Sequence, residues 1–345
     1  MDSIAGLLDG PRAREAFLLR STLAPPWSMR IEDEAPLTLV AVARGSAWLV
    51  PSSSGSPVLV PAGGVAVLRG PDPYTVADDP TTEPQVVIKP GQVCETPAGE
   101  PVTMRDLGVR TWGNAAAGST ELLTGTYQLR SETSRRLLAA LPPLLTVADW
   151  ENPLVDYLAA EIVKDEPGQE AVLDRLLDLL LIAALRAWFA RPEAQAPGWY
   201  AAHGDPVVGP ALRLLQESPA QPWTVASLAA AVGVSRAALA RRFTSLVGEP
   251  PMAFLAGWRL TLAADLLREP GATVGSVARQ VGYGSPFALS AAFKRVHGIS
   301  PAEHRAPPTA STAGAASTAG AATTAGVGGA GAGDAERPAA VSTLG

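Results

Sequence analysis

The chain has 345 residues, of which 47% are hydrophobic, and a formal net charge of −6 at pH 7. This length predicts two domains, because single hydrophobic cores stop growing at about 250–300 residues. The lone cysteine, Cys94, excludes an intramolecular disulfide and favours a reducing compartment. Acidic residues near the N-terminus argue against a secretory signal, and charges interrupt the most apolar stretch, 172–190. We therefore expect a soluble, cytoplasmic protein without a membrane span.

The charge is unevenly distributed along the chain. Residues 206–305 contain ten Lys and Arg but five Asp and Glu, so a basic segment lies within an acidic chain. Only a basic segment can neutralise the phosphates of a nucleic acid. The asymmetry favours a DNA-binding segment joined to an acidic partner domain.

Residues 36–130 predict β-structure. Short runs rich in Val, Leu and Thr are separated by Pro and Gly, with a turn signal about every ten residues, which is typical of an antiparallel sandwich or barrel. The predicted strands are 37–43, 47–50, 58–60, 65–68, 85–88, 109–112 and 121–129.

Residues 134–200 change to helical spacing, with helices predicted at 134–141, 153–164 and 170–190. The third helix has an apolar stripe made of Val172, Leu176, Leu179, Leu180 and Ala183, with further apolar residues around it. A helix this apolar needs a partner on more than one side. The partner is either the β-domain or a second copy of the chain, and the sequence leaves both open.

A break at 197–206 leads into a helical region that ends near residue 305. The following Gly, Ala, Ser and Thr tract, 306–345, has almost no large apolar side chain. Such a tract cannot bury enough surface to offset its chain entropy, so we predict a disordered tail.

The helical region contains an internal duplication about 50 residues apart. The run from Thr224 to Gly233 aligns with the run from Thr273 to Gly282. In each copy the threonine is a predicted N-cap, an apolar helix follows, and the glycine allows a tight turn with positive φ. Each copy therefore predicts a helix and a glycine-bearing turn.

A second helix follows in each copy, opened by Ser235 and by Ser285, which completes a helix-turn-helix pattern. One such copy could be an ordinary helical hairpin. Two copies joined by a long helix at 251–267 are harder to explain in that way. This connecting helix, about 25 Å long at 1.5 Å per residue, could hold two recognition helices about one turn of B-DNA apart.

Two runs carry a resemblance to a known family. They are GVSRAALARRF at 233–243 and GYGSPFALSAAFKRVHGISPAEHR at 282–305. Residues 206–305 resemble the DNA-binding domain of AraC/XylS-type transcription regulators. The resemblance implies activation or repression of transcription, promoter DNA and RNA polymerase as partners, and an N-terminal effector-binding or dimerisation domain. It implies neither an enzymatic activity nor a cofactor.

In the first recognition helix, the base-reading positions of the family fall on Ala237, Ala240 and Arg241. We expect Arg241 to contact a base directly, in the bidentate manner that suits guanine. Arg236 and Arg242 are expected to bind phosphates. Ser235, at the start of this helix, is also expected to contact DNA.

The second recognition helix departs from the family pattern. Its outward face has Pro286, Phe287 and Ala291, and the family commonly has Arg at the position of Ala291. Ser285 and the pair Lys294 and Arg295 remain for the DNA backbone. We expect this copy to contribute affinity and register more than base discrimination.

The N-terminal part, with its runs 61–64 and 69–78, resembles the cupin-type sensor domain of some of these regulators. The predicted fold is an α+β multidomain chain. It comprises a cupin-like β-barrel (1–133), a helical dimerisation or linker region (134–200), an all-α double helix-turn-helix domain (206–305) and the tail (306–345). We expect a homodimer.

A catalytic cupin holds a metal through histidines. The histidines of this chain, His203, His297 and His304, all lie outside the β-region, so we predict neither a metal site nor an enzyme. A small-molecule effector site or a purely dimerising N-terminal domain both remain open.

Two further features of the β-region have alternative explanations. Trp48, Tyr74 and Trp112 could line a ligand site inside the barrel or simply form its core. Cys94, in a turn-like segment, could be a redox-sensing thiol or an inert small residue.

Overall fold

The computed structural model describes residues 17–305 apart from 53–54, 103–104, 128–130, 151, 192–193 and 195–196. The predicted tail, 306–345, lies outside the described residues. So does the N-terminal end of the predicted sensor domain. Within the described part of the chain, none of the helices has the length and apolar character needed to cross a bilayer.

The N-terminal part is built from two sheets that pack face to face. One sheet has the strand order β10-β11-β1-β12-β3-β6-β13 and the other has the order β5-β4-β7-β2-β8-β9. The strands are β1 (Phe17–Leu23), β2 (Ser28–Ile31), β3 (Leu37–Arg44), β4 (Ser46–Pro51), β5 (Val58–Pro61), β6 (Val65–Arg69), β7 (Tyr74–Ala77), β8 (Val86–Lys89), β9 (Val93–Glu95), β10 (Arg105–Gly108), β11 (Thr111–Gly113), β12 (Thr120–Tyr127) and β13 (Leu144–Val147).

The two sheets share no strand pairing among the described residues, so the predicted closed barrel is an open sandwich of the cupin-like class. Alternating residues of both sheets, among them Val40, Val76 and Leu122, form the core between them. Each predicted strand has an observed counterpart, although the one predicted at 109–112 is shifted to 111–113. Strands β1 and β2 begin before residue 36.

Strand β13 corrects the prediction that 134–200 is wholly helical. Its four residues pair antiparallel with β6, with Thr146 opposite Ala66. Leu145 and Val147 are buried, which is the two-residue alternation of a strand. Four residues are too few to distinguish this alternation from helical spacing in the sequence.

Three helices follow or flank this strand: α1 (Glu132–Ala139), α2 (Leu154–Glu161) and α3 (Gln169–Phe189). The stripe predicted on α3 is partly wrong, because Val172 is 39% exposed and Leu179 is 50% exposed. The helix instead buries Leu173, Leu177 and Leu181 against the sandwich and α2. Leucine occurs at so many positions of α3 that several stripes fit the sequence, and packing selects one.

The C-terminal part is entirely helical in the described residues. It contains α4 (Gly198–Ala201), α5 (Val208–Glu217), α6 (Val225–Ala231), α7 (Arg236–Val247), α8 (Pro251–Leu266), α9 (Val274–Val281), α10 (Pro286–His297) and α11 (Pro301–Arg305). The long connecting helix is confirmed as α8. The core of α6 and α7 is continuous with that of α3, whereas α9 and α10 pack on the end of α8 around a core of their own.

Candidate nucleic-acid interface

Both copies of the duplication begin with the same capped helix. The Thr224 hydroxyl accepts the amide of Ser227 at 3.0 Å, and the Ser227 hydroxyl accepts the amide of Thr224 at 2.9 Å. Thr273 and Ser276 repeat this reciprocal cap, with both distances 3.0 Å. The predicted N-caps are confirmed, and each pair satisfies two amide groups at a helix start.

The turn between the paired helices is also the same in both copies. Gly233 and Gly282 have φ of 73° and 84°, in the left-handed region that favours glycine. After the glycine, the amide of Val234 donates to the carbonyl of Ala229 at 3.0 Å, and Tyr283 repeats this bond at 2.7 Å. This local geometry turns the chain sharply and starts the second helix at a fixed angle.

Ser235 and Ser285 cap the two second helices, α7 and α10. Each hydroxyl accepts the amide three residues further on, at 3.2 Å. Their predicted role as helix-opening residues is therefore confirmed. The hydroxyl oxygens are engaged in capping, so each hydroxyl hydrogen is still available to donate.

Helix α7 divides cleanly into a buried and an exposed side. Leu239 and Phe243 are fully buried, and Phe243 packs edge-on against Phe254 with ring centroids 5.9 Å apart. The opposite side presents Arg236 and Arg241, both exposed and without an acidic partner at ion-pair distance among the described residues. Of the two alanines beside them, Ala237 is exposed and Ala240 is half-buried.

Arg242 is placed differently from the other two arginines of α7. Its guanidinium forms an ion pair with Asp205, with Nε at 2.9 Å and Nη2 at 2.7 Å from Oδ2. The other oxygen of Asp205 accepts the amides of Val207 and Val208 and so caps the start of α5. Burial alone would raise the pKa of Asp205, but these hydrogen bonds outweigh it and lower the pKa. Arg242 is thus partly engaged in bracing α7 against α5.

Helix α10 has the same two-sided pattern with different chemistry. Leu289 and Phe293 are buried, while Phe287 is 85% exposed, which is unusual for a large apolar side chain. Pro286 and Ala291 share its exposed face, and Lys294 and Arg295 are exposed near the C-terminal end. At equivalent positions of the two helices, Arg241 of α7 therefore corresponds to Ala291.

Arg259 of α8 links the two copies. Its Nε donates to the carbonyl of Pro219 at 2.7 Å and its Nη2 donates to the carbonyl of Gln221 at 2.9 Å, in the loop that precedes α6. The same loop touches the turn of the second copy, because a Cβ on Gly282 would lie 2.7 Å from the Cα of Ala220. This arrangement fixes the first copy relative to the second.

Two capped helix-turn-helix units on one connecting helix are consistent with what the comparisons with known proteins found. A family described as cupin matches residues 2–190, and a family described as helix-turn-helix domain matches residues 228–306. An AraC-like transcription regulator of Streptomyces lividans is 32% identical over 321 residues, which is 90% of this chain and 99% of that protein. The chain belongs to the AraC-like transcription regulators.

Other relatives agree with this assignment. An AraC-like transcription regulator of Streptomyces antibioticus is 30% identical over 317 residues, 89% of this chain and 99% of that protein. Among solved structures, the DNA-binding domain of AdpA in complex with a target DNA is 36% identical, covering 30% of this chain and 91% of that chain, with a TM-score of 0.28. The two family matches and the two Streptomyces relatives identify the AraC-like regulator described here as a DNA-binding transcription regulator with a cupin domain.

The cupin domain of the regulator contains a cleft between its two sheets. Tyr74 and Trp112, two of the three aromatic residues predicted to line a ligand site, do line it. Trp48 is not among the residues that line this cleft. Strand alternation places Trp48 on the face of β4 opposite the buried Ala47 and Leu49.

Cys94 lies in strand β9, paired with Ile88, and not in the turn that the sequence predicts. The side chain is half-buried, and its Sγ lies 3.7 Å from the carbonyl oxygen of Gln92. Burial raises the pKa of the thiol, which lowers the fraction of reactive thiolate. This environment favours the inert explanation over the redox-sensing one.

The sequence analysis missed residues whose role depends on tertiary contact. Asp33 lines the cleft, Asp205 braces α7, Arg259 fixes the two copies, and Asp265 contacts α1. For Asp205 a signal existed, because Asp shortly before a helix start is a common cap. Within the described residues no group of three or more His, Cys, Asp or Glu could hold a metal ion.

Proposed function

We propose that the regulator binds promoter DNA by placing α7 and α10 in two successive major grooves, and that a small molecule in the cupin cleft adjusts this binding. The main support is that α7 and α10, two equivalent helices joined through α8, each have an exposed face. The exposed face of α7 carries arginines without acidic partners among the described residues, and that of α10 carries an exposed phenylalanine. Both are chemically suited to a DNA groove.

In the first copy, Arg241 is the proposed base-reading residue. It lies one turn into α7, next to the small Ala237 and Ala240, which leave room for a base edge and can touch a thymine methyl group. Arg236, at the helix start, is proposed to bind a phosphate. Arg242 would join it only by sharing its guanidinium between Asp205 and the DNA backbone.

In the second copy, apolar contact is proposed to replace the missing arginine. Phe287 and Pro286 can pack against thymine methyl groups, and the small Ala291 lets the helix approach closely. Lys294 and Arg295, together with the Ser285 hydroxyl, are proposed to bind phosphates. This copy would favour A·T-rich sequence weakly and would mainly supply affinity and register.

The remaining proposals are less specific. The exposed Val172 and Leu179 of α3 are the proposed seam of a homodimer. RNA polymerase is the proposed protein partner at the promoter, and the cytoplasm, where bacterial promoters are accessible, is the proposed location. The relatives are transcription regulators, and we propose that this chain, too, has no catalytic activity.

The decisive experiment selects genomic fragments with the full-length protein and measures binding to the selected site by fluorescence anisotropy at several salt concentrations. The double variant Arg236→Glu/Arg241→Glu should weaken binding about 100-fold or more, since it reverses the charge of one phosphate contact and one base contact. The matched control is Arg105→Glu, which reverses an exposed arginine on β10, away from the recognition helices and from the proposed dimer seam. Equal affinity of the two variants, or no salt-sensitive binding of the wild type to any fragment, would refute the proposal.

A further inference from the structure

The cleft between the two sheets is mostly apolar. Its walls include aliphatic side chains from β1, β2, β7, β8 and β12, namely Leu19, Met29, Ile31, Val76, Ile88 and Leu122. The body of a ligand in this cleft must therefore be apolar.

Trp112, a residue that lines the cleft, carries an unused hydrogen-bond donor. The indole Nε1 of Trp112 is buried and has no acceptor among the described residues. Buried donors are nearly always paired, so an unpaired one in the wall of a cleft points to a partner from outside the chain. Trp112 lies opposite Ser21 of β1, whose side chain also lines the cleft.

The end of the cleft away from Trp112 is acidic and rich in hydroxyl groups. Asp33, Tyr74 and Thr126 line it, and Thr126 lies opposite Thr38 in the pairing of β12 with β3. The Asp33 carboxyl is half-buried, and this burial raises its pKa. One of its oxygens accepts the amide of Ala35 at 3.1 Å.

The strand register gives the distance between these two ends. Trp112 pairs with Ser21 and Thr126 pairs with Phe17, so the ends lie four residues apart along β1. At about 3.3 Å per residue, this separation is about 13 Å. The described residues that line the cleft include no Lys, Arg or His, so nothing there would neutralise an anion.

We infer that the cleft binds an elongated apolar molecule with a hydrogen-bond acceptor at the Trp112 end and a hydroxyl or amino group at the Asp33 end, and that it excludes carboxylates. This inference rests on the proposed function, because it specifies the chemical class of the effector. A carboxylate ligand would bring a second negative charge beside Asp33 or leave its own charge unpaired in an apolar cleft. An amino or hydroxyl group would instead donate to Asp33.

Three fluorescent or absorbing probes that share a naphthalene body test this inference with the full-length protein. The first, 6-acetyl-2-aminonaphthalene, has an acceptor at one end and an amino group at the other. 2-Aminonaphthalene lacks the acceptor, and 6-amino-2-naphthoate replaces the ketone by a carboxylate. We expect the amino ketone to bind with a blue-shifted emission, 2-aminonaphthalene to bind about tenfold more weakly, and the naphthoate to bind at least thirtyfold more weakly.

Two variants assign the specificity to named residues. Trp112→Phe keeps an aromatic ring, although a smaller one, and removes the N–H, so it should weaken the amino ketone about tenfold more than it weakens 2-aminonaphthalene. Asp33→Asn should weaken the amino ketone and 2-aminonaphthalene by a similar factor, because both present their amino group to this side chain. The matched control is Trp48→Phe, on the opposite face of its strand, which should change none of these affinities.

Several results would overturn the inference. The first is naphthoate binding as tight as that of the amino ketone. The second is an equal effect of Trp112→Phe and Trp48→Phe. The third is that no probe binds to wild-type protein that is folded, as shown by a cooperative thermal unfolding transition. Anisotropy with the selected DNA fragment is measured on the same samples. Loss of probe binding with intact DNA binding refutes only the effector class, whereas absent DNA binding refutes the proposed function itself.

Discussion

Asp265, on the helix that carries both helix-turn-helix units, caps the helix that leaves the cupin sandwich at Thr133. One carboxylate oxygen accepts the amide of Glu132 at 2.6 Å, and the other accepts the amide of Thr133 at 3.2 Å and its hydroxyl at 2.7 Å. Thr133 is buried. Helix α1 follows β12, whose Thr124 and Thr126 line the cleft. A single carboxylate therefore joins the DNA-binding half to the segment that follows the ligand cleft.

Replacing Asp265 by Ala should release this contact. Two amides at a helix start and one hydroxyl would lose their acceptor, and the negative charge favoured at a helix N-terminus would be lost, for a cost of about 1–3 kcal/mol. Hydrogen exchange measured by mass spectrometry should show faster exchange in peptides that cover 132–135. The control is Glu269→Ala, an exposed acid beyond the end of α8. Unchanged exchange in the Asp265 variant would contradict this role.

Arg241 and Arg236 should differ in what they contribute to DNA binding. Arg241→Ala should cost about 1–3 kcal/mol at the selected site and should reduce discrimination at one base pair, because a base contact is lost. Arg236→Ala should weaken binding to matched and scrambled DNA alike and should reduce the salt dependence, because a phosphate contact is lost. Anisotropy with the site and a set of single-base variants distinguishes the two. Uniform weakening by both substitutions would remove the base-reading role of Arg241.

Gly282 and Gly248 allow a comparison between two glycines that have similar backbone angles but different surroundings. Both have positive φ, 84° and 91°, so alanine at either position costs about 1–2 kcal/mol of backbone strain. At Gly282 the new Cβ would also lie 2.7 Å from the Cα of Ala220, whereas at Gly248 nothing lies within 4 Å. Thermal unfolding should therefore show Gly282→Ala as clearly the less stable variant. Similar unfolding temperatures would mean that the loop around Ala220 can shift at little cost in free energy.

The sequence predicts local features of this fold better than it predicts tertiary placement. The caps at Thr224 and Thr273 are recognisable because a hydroxyl residue and its partner three positions later follow a local rule. The exposed arginines of α7 follow in the same way from helical spacing around Leu239 and Phe243. Each of these signals lies within one or two helical turns.

The features that the sequence did not predict depend on distant partners. Strand β13 is defined by pairing with β6, and the outward placement of Trp48 depends on which face of β4 the sandwich buries. The charge of Arg242 and its place in α7 suggest a phosphate contact, yet it forms an ion pair with Asp205, a residue 37 positions away. Charge pattern alone cannot distinguish a free arginine from one that already has a partner.

Arg259 should control the relative placement of the two recognition helices. Its two hydrogen bonds to backbone carbonyls hold the loop before α6, and such charge-assisted bonds contribute about 1.5–3 kcal/mol. Arg259→Lys keeps the charge but cannot form the same two-point contact. We expect weaker binding to the full DNA site with nearly unchanged binding to a half-site for one copy. Equal losses on both DNAs would indicate a general loss of folding, which thermal unfolding of the variant checks.

His304 should make the second helix-turn-helix unit sensitive to acid. Its Nε2 lies 3.1 Å from the carbonyl oxygen of Ala264 on α8, and its ring packs edge-on against Phe293. Burial, and then the charge of Arg268, lower the pKa of His304 from 6.5. The unfolded chain therefore binds the proton more readily than the folded one, so stability present above about pH 6.5 falls as the pH drops towards the folded-state pKa.

The measurement is hydrogen exchange of peptides within α10 at pH 7.5 and 5.5, corrected for the intrinsic exchange rate at each pH. The wild type should lose protection at the lower pH, because the proton must enter a partly buried site beside a cation. His304→Gln has no titrating group and keeps an amide that can donate to Ala264, so its protection should change less between the two values. If both proteins lose protection equally, another group governs the acid response, and His304 serves only to pack α11 against Phe293.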